Sequence, residues 1–200
     1  MNPAFWDQRY TGDAFVFGTA PNEFLRDHAD RLPPGPVLCL AEGEGRNAAF
    51  LLGRGHAVTA VDQSAVGLAK ARRLAAGHDD ALTTVVADLA DFPIAPGAWS
   101  AVVSIFLHLP PPLRQRVFRA AAAGLRPGGV FLLEAYTPDQ VRHGTGGPVN
   151  NPAMLLTLAD LRADLAGLSL EIAHEIERDV VEGSAHTGRA AVVQVLARRT

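Results

Sequence analysis

The chain has 200 residues, 48% of them hydrophobic, with a net charge of −3 and a pI near 6.1. That length fits one domain with a full apolar core, and a slightly acidic chain whose only lysine is Lys70 has no basic footprint for nucleic acid. The single cysteine, Cys39, rules out an intramolecular disulfide. Apolar runs broken by charge or glycine predict no membrane span or signal peptide, so a soluble cytoplasmic protein is expected.

Residues 1 to 20 hold three of the nine phenylalanines, one of the two tryptophans and one of the two tyrosines, which is too aromatic for a disordered tail. A short helix and a loop packed over the body of the domain are expected there. Pro21-Asn22 opens a helix with Phe24, Leu25, Ala29 and Leu32 on one face, and Pro33-Pro34-Gly35 ends it.

Pro36 to Leu40 then reads as a strand buried on both faces, followed by the acidic, glycine-spaced turn Ala41-Glu42-Gly43-Glu44-Gly45 and a helix headed by Arg46-Asn47. Glycines at such a turn let a ligand lie against the main chain, and the free N–H groups of the helix start point at it. A second strand, His56 to Asp62, ends in a carboxylate twenty residues after Glu42. An acid there can accept hydrogen bonds from ribose hydroxyls.

Gln63-Ser64 caps a helix to about Ala76, and a third strand from Thr83 runs into Asp88-Leu89. A fourth strand, Trp99 to Phe106 with Ser104 near its end, leads into His108 and three prolines that suit the first turn of a helix, Leu113 to Leu125. Gly128-Gly129 launches a fifth strand, Val130 to Tyr136. Alternation of this kind predicts a single α/β domain with a doubly wound, mostly parallel seven-stranded sheet and helices on both faces. Thr137 to Pro152 is irregular and reads as a lid or substrate-contacting loop. Thr157 and Asp160 make a capping pair for a helix to about Ala166, and two strands, Leu168 to Val181 and Arg189 to Ala197, close the chain as an antiparallel hairpin joined by residues 182–188. The domain thus divides into a cover and helix (1–35), a cofactor-binding core (36–136) and a lid loop, helix and hairpin (137–200).

Three acids at the ends of successive strands fall on one edge of a parallel sheet, where open α/β sheets hold ligands. With the twin-glycine turn, the Leu125-Arg126-Pro127-Gly128-Gly129 turn and the terminal hairpin, the chain from about Val37 onward resembles the S-adenosylmethionine-dependent methyltransferases of the Rossmann-like class. Phe5-Trp6-Asp7-Gln8-Arg9-Tyr10, Phe17-Gly18-Thr19-Ala20-Pro21-Asn22 and Gly43-x-Gly45-Arg46-Asn47 resemble most the small bacterial methyltransferases grouped with tellurite-resistance and thiopurine-type enzymes. The resemblance implies S-adenosyl-L-methionine as cofactor and a small-molecule methyl acceptor, in a monomer or homodimer without nucleic acid or membrane partners. It also implies cofactor contacts from Trp6, Arg9, Tyr10, Glu42, Gly43, Glu44, Gly45, Arg46, Asn47, Asp62, Gln63, Ser64, Asp88, Leu89 and Ser104. The general family pattern has an acid three positions before Glu42 and a glycine one before it. Cys39 and Ala41 stand there, so Glu42 is expected to take over part of the contact to the cofactor ammonium.

His108 and His186 are the candidate catalytic residues, and Phe106, His108 and Tyr136 the candidate acceptor contacts. His28, His56, His78, His143 and His174 show no metal-ligand spacing, so no metal is expected. The loose Gly43-x-Gly45-x-x-Ala48 fingerprint with Asp62 leaves a nicotinamide-dependent oxidoreductase as an alternative, and a non-catalytic nucleoside or cofactor binder as another. Finally, the N-terminal cover and the loop 137–152 are expected to close the pocket together when cofactor binds.

Overall fold

The computed structural model describes residues 3–200. Seven strands, β1 (Pro36–Leu40), β2 (Ala57–Asp62), β3 (Leu82–Val86), β4 (Trp99–Ile105), β5 (Leu125–Tyr136), β6 (Leu168–Glu182) and β7 (His186–Arg199), form one sheet in the order β3-β2-β1-β4-β5-β7-β6. β7 is antiparallel to both its neighbours, and the other pairings are parallel. Six α-helices accompany the sheet among the described residues: α1 (Pro3–Tyr10), α2 (Glu23–His28), α3 (Arg46–Gly53), α4 (Ala65–Leu74), α5 (Pro111–Gly124) and α6 (Leu158–Asp164). The strand order reverses between β1 and β4, which opens a crevice at the carboxyl ends of these strands.

The apolar runs of β1 and β4 follow from burial on both sides, because successive side chains of a strand leave in opposite directions. Val37, Cys39, Ala101 and Val103 join Leu25, Leu51 and Leu68 from α2, α3 and α4 in one core. Leu38, Leu40, Val102 and Phe131 join Phe118 and Leu161 from α5 and α6 in another. Trimming any of these leucines to alanine is expected to cost about 2–5 kcal/mol. No helix among the described residues is long and apolar enough to cross a membrane.

Several boundaries differ from the sequence reading. The expected helix through Leu32 is α2 followed by a 3-10 turn, Ala29–Arg31. Gly128-Gly129 lies inside β5 rather than ahead of it. Trp99 pairs with Leu125 and Ala101 with Val130, so a bulge absorbs the intervening residues. A Cβ on Gly129 would come within 3.1 Å of the Ser100 carbonyl, which explains a glycine there.

The closing hairpin pairs as far as Glu182 with His186, so the connection expected over 182–188 shrinks to a tight turn at 183–185. Gly183 permits this, with φ +70° and the Val16 carbonyl against the place a side chain would take. The loop 137–152 is anchored on β7: buried Gln140 accepts from the Ala191 N–H at 2.9 Å, and Thr145, which accepts from Gln140 at 3.0 Å, donates to the Arg189 carbonyl at 2.5 Å. The capping box of Thr157 and Asp160 opens α6 as its sequence predicts.

Candidate active site

The turn between β1 and α3 is built around Asp62. Its Oδ2 accepts the Gly43 N–H at 2.9 Å and its Oδ1 the Ser64 N–H at 2.8 Å, tying the end of β2 to the turn after β1. Ala41 sits in the left-handed region at φ 51°, a conformation that explains the glycine of the wider pattern at this place. Gly43 is demanded by its neighbour, since a Cβ would lie 2.8 Å from the Tyr10 hydroxyl.

Glu42 is buried, with its Oε1 accepting the Ala48 N–H at 2.8 Å. Burial pushes its carboxyl up to about 7 against the pull of that N–H and of Arg46. Cys39 beneath it is buried too, and burial raises its thiol further from ionisation, which makes it a packing residue.

A cover formed by α1 and the following loop closes one side. Asp7 of α1 accepts from the Ser64 hydroxyl at 2.6 Å and from the Val66 N–H at 3.3 Å, so α1 is docked on the start of α4. Lys70, from the buried face of α4, pairs with Glu44 at 2.6 Å and donates to the carbonyls of Gly12 and Ala14 at 2.8 and 2.7 Å. Glu44 in turn accepts the N–H of Val16 at 2.8 Å and of Phe17 at 3.3 Å. Trp6 then stacks on Tyr10 at 5.7 Å, and the Arg9 guanidinium lies 6.0 Å over Trp6 and 5.5 Å over Phe17.

The far end is made by the exits of β4 and β5 and by the hairpin turn. Phe106 is held at φ 51°, an outlier for a bulky residue, with its N–H on the Glu134 carbonyl at 2.7 Å. It packs against Tyr136 at 4.5 Å and His186 at 4.7 Å. His108 lies parallel to Tyr136 at 5.7 Å, and its Nδ1 is 3.0 Å from the Met154 carbonyl. A carbonyl only accepts, so Nδ1 carries the proton and Nε2 presents a lone pair.

Burial pushes His108 down to about 4 and, with the charge of Arg46, His186 down to about 3. Burial, then the charges of Glu182 and Glu134, raises the Tyr136 phenol. All three side chains are therefore neutral at pH 7, and His108 Nε2, Tyr136 Oη and His186 Nδ1 are buried without a hydrogen-bond partner among the described residues.

These walls enclose a cavity of about 440 Å³, within the range of small-molecule sites. Of the residues expected to contact cofactor or acceptor, Trp6, Arg9, Tyr10, Glu42, Gly43, Glu44, Arg46, Asn47, Asp62, Gln63, Asp88, Leu89, Phe106, His108, Tyr136 and His186 all line it.

Three expected residues do not. Gly45 is needed for helix packing, because a Cβ would run into Ala71 of α4. Ser64 caps α4 by accepting the Gly67 N–H at 2.9 Å, and Ser104 is enclosed within β4. Among the lining residues, Glu44 is committed to Lys70, Arg46 to buried Glu182, and Asn47 Oδ1 to the Asn22 N–H at 3.0 Å. They shape the wall with their polar ends already engaged.

Sequence reasoning missed Leu107 and Met154, which also line the cavity, while Phe5 of the expected cover and Gly146-Gly147 of the expected loop line it as well. A Cβ on Gly147 would stand 2.7 Å from the Tyr136 ring, so the glycines of the loop 137–152 let it lie on the far end of the cavity. It also missed the Lys70–Glu44 pair. The signal available was the lone lysine of the chain, placed among the apolar positions of α4.

Residues 37–129 match the family model described as "Methyltransferase domain". That stretch, just under half of the chain, matches an enzyme domain of the methyltransferase kind, and the solved structures that share the fold include proteins described as S-adenosylmethionine-dependent methyltransferases. A comparison with curated proteins finds no match.

Solved structures similar over nearly the whole chain include one reported for the conversion of a disulfide bond into a thioacetal group during echinomycin biosynthesis. It has 20% identity and a TM-score of 0.77, over 98% of this chain and 91% of that one. TehB from Haemophilus influenzae has 18% identity and a TM-score of 0.73, over 99% of this chain and 67% of its own. Geranyl diphosphate C-methyltransferase from Streptomyces coelicolor, solved with Mg2+, geranyl diphosphate and S-adenosyl-L-homocysteine, has 15% identity and a TM-score of 0.69, over 99% and 97% of the two chains. At these identities the likeness establishes the fold, and the acceptor has to be argued from the cavity itself.

Proposed function

We propose that the chain moves a methyl group from S-adenosylmethionine to a small-molecule acceptor inside this cavity. One observation carries the reading. The strand-end carboxylates Asp62 and Asp88 line the same cavity as three buried, unpartnered polar atoms, on His108, Tyr136 and His186.

The donor set suits the cofactor. Asp62 has lone pairs left for ribose hydroxyls, exposed Asp88 and the Leu89 N–H are available to adenine, and buried Glu42 stands ready for an ammonium group. Gln63 lies next to Asp62, and Trp6, Arg9 and Tyr10 cover the methionine end. When bound, S-adenosylmethionine supplies an electrophilic methyl group on a sulfonium.

The remaining work falls to the chain. The aromatic cover excludes water, and Phe106 and Tyr136 fix the acceptor against the cavity wall. Orientation of this kind is worth up to about 7–11 kcal/mol of barrier, so a strong base is not required. His108 Nε2 is the atom placed to take a proton, and the unpartnered His186 Nδ1 lies on the same wall.

Calorimetry with S-adenosylmethionine and S-adenosylhomocysteine tests the reading. Saturable heat from both, and none from NADH, is expected. A folded sample silent toward both methionine-derived ligands overturns it.

A further inference from the structure

Resting on the methyltransferase reading, we infer that the acceptor is a neutral molecule with an apolar body and one X–H group, a phenol, thiol or aromatic amine, that donates to His108 Nε2, rather than an oxyanion. The inner end of the cavity has the chemistry for such a guest. The tautomer of His108, fixed by the Met154 carbonyl at 3.0 Å, makes Nε2 an acceptor, and buried His186 Nδ1 lacks a partner as well. The Tyr136 hydroxyl, also without a partner, can donate to the lone pair that remains on X. An X–H group satisfies His108 Nε2 and the Tyr136 hydroxyl at once, and leaving them unpaired in a buried site is costly.

The surfaces beside them are apolar. Leu107, Leu109, Leu113 and Met154 line the cavity with Phe106, whose ring lies 4.5 Å from that of Tyr136. Such walls take an aromatic or alkyl body and repel a small, strongly hydrated anion.

Counter-charge for an anion is missing at the same place. Arg46 is committed to Glu182 in a buried pair, and Arg178 is shared by Glu23, Glu134 and Glu182. Arg9, the remaining cation on the cavity wall, is exposed at the mouth over Trp6 and Phe17, where water and salt screen it. The acids on the floor are Asp62 and the partly protonated Glu42, and their negative charge disfavours an anion.

The test uses the full chain saturated with S-adenosylhomocysteine, titrated in a calorimeter with phenol, anisole, benzyl mercaptan, benzoate and tellurite. Phenol and benzyl mercaptan should bind about tenfold or more tighter than anisole, which keeps the ring and loses the donor. Benzoate and tellurite should give no saturable heat. The nitrogen resonance of His108 Nε2 should move in the hydrogen-bonded direction with phenol and stay still with anisole. That measurement needs no variant. In His108→Phe, if folded, the gap between phenol and anisole should close to about twofold.

Equal binding of phenol and anisole, tighter binding of benzoate or tellurite, or no binding of either X–H probe overturns the inference while leaving the cofactor reading in place. A protein that takes no S-adenosylhomocysteine overturns that reading first, and the inference with it.

Discussion

Lys70→Met should destabilise the protein strongly, although Lys70 does not line the cavity. Its ammonium is 2.6 Å from Glu44, both side chains only 2% exposed, and it reaches the carbonyls of Gly12, Ala14 and Tyr10 at 2.8, 2.7 and 3.4 Å. Phe15 covers it at 5.0 Å. Methionine matches the stem but leaves the Glu44 carboxylate buried with only the Val16 and Phe17 N–H groups, and leaves the carbonyls unpaired.

Removing one partner of a buried pair costs about 3–5 kcal/mol, against a total stability of about 5–15 kcal/mol for a domain. Urea unfolding followed by tryptophan fluorescence measures the loss, and Trp6 reports directly on the cover. In the double variant Lys70→Met/Glu44→Gln the lone buried charge is gone, so a substantial part of the loss should return. A single-variant loss below about 1 kcal/mol, or a double variant whose losses simply add, refutes the account of how the cover is held.

Ala41→Gly relieves the left-handed backbone at φ 51°. The relief of about 1–2 kcal/mol is partly offset by the freer unfolded chain, so thermal unfolding should show a gain of roughly 0.5–1 kcal/mol. A loss instead would mean that the Ala41 methyl packs better than its backbone suggests. Asp62→Ala removes the acceptor of the Gly43 and Ser64 N–H groups as well as the ribose acid, and should weaken S-adenosylhomocysteine binding by about 1.5–3 kcal/mol in calorimetry.

Acid should destabilise the protein. His108 and His186 sit near 4 and 3 instead of 6.5, so below pH 6.5 the unfolded chain takes up protons that the folded chain refuses. Glu42, raised from 4.5 to about 7, works in the opposite direction over the same range. Two histidines outweigh one carboxyl, for a net loss on the order of 1 kcal/mol between pH 7 and pH 5. Glu42→Gln removes the opposing part and should raise that loss to about 4 kcal/mol in urea unfolding at the two pH values, whereas an unchanged loss contradicts the burial argument. Hydrogen exchange in residues 5–18 and 137–152 should slow when S-adenosylhomocysteine is added, and equal protection in both states would exclude a ligand-coupled lid.

The strands were legible because burial on both faces leaves a continuous apolar run, as in Val37 to Leu40 and Ala101 to Val103. The three strand-end acids were legible because parallel connections bring every such end to one edge. Thr157 and Asp160 announced their helix because a capping box is a local device.

What escaped was set by distant parts of the chain. Glu44 read as a ligand contact in a glycine-rich turn, but its partner Lys70 lies across on α4, and only the fold shows the pair. Gly45 and Ser64 have the residue types of a ligand loop and serve helix packing and capping. Buried Glu134, Glu182 and Asn22 come from β5, β6 and the approach to α2, with Asn22 donating to both carboxylates at 3.0 and 2.8 Å; no periodicity links such positions. The unpartnered atoms of His108, Tyr136 and His186 emerge only when β4, β5 and the hairpin turn are placed side by side.

A crystal structure of the complex with S-adenosylhomocysteine tests the central claim most directly. The ribose hydroxyls should meet Asp62, the adenine should lie beside Asp88 and Leu89, the amino-acid end should reach Glu42 under Trp6 and Tyr10, and the sulfur should face Phe106 and His108. A ligand bound outside this cavity, or lying in it with its sulfur turned away from His108, Tyr136 and His186, would contradict the account.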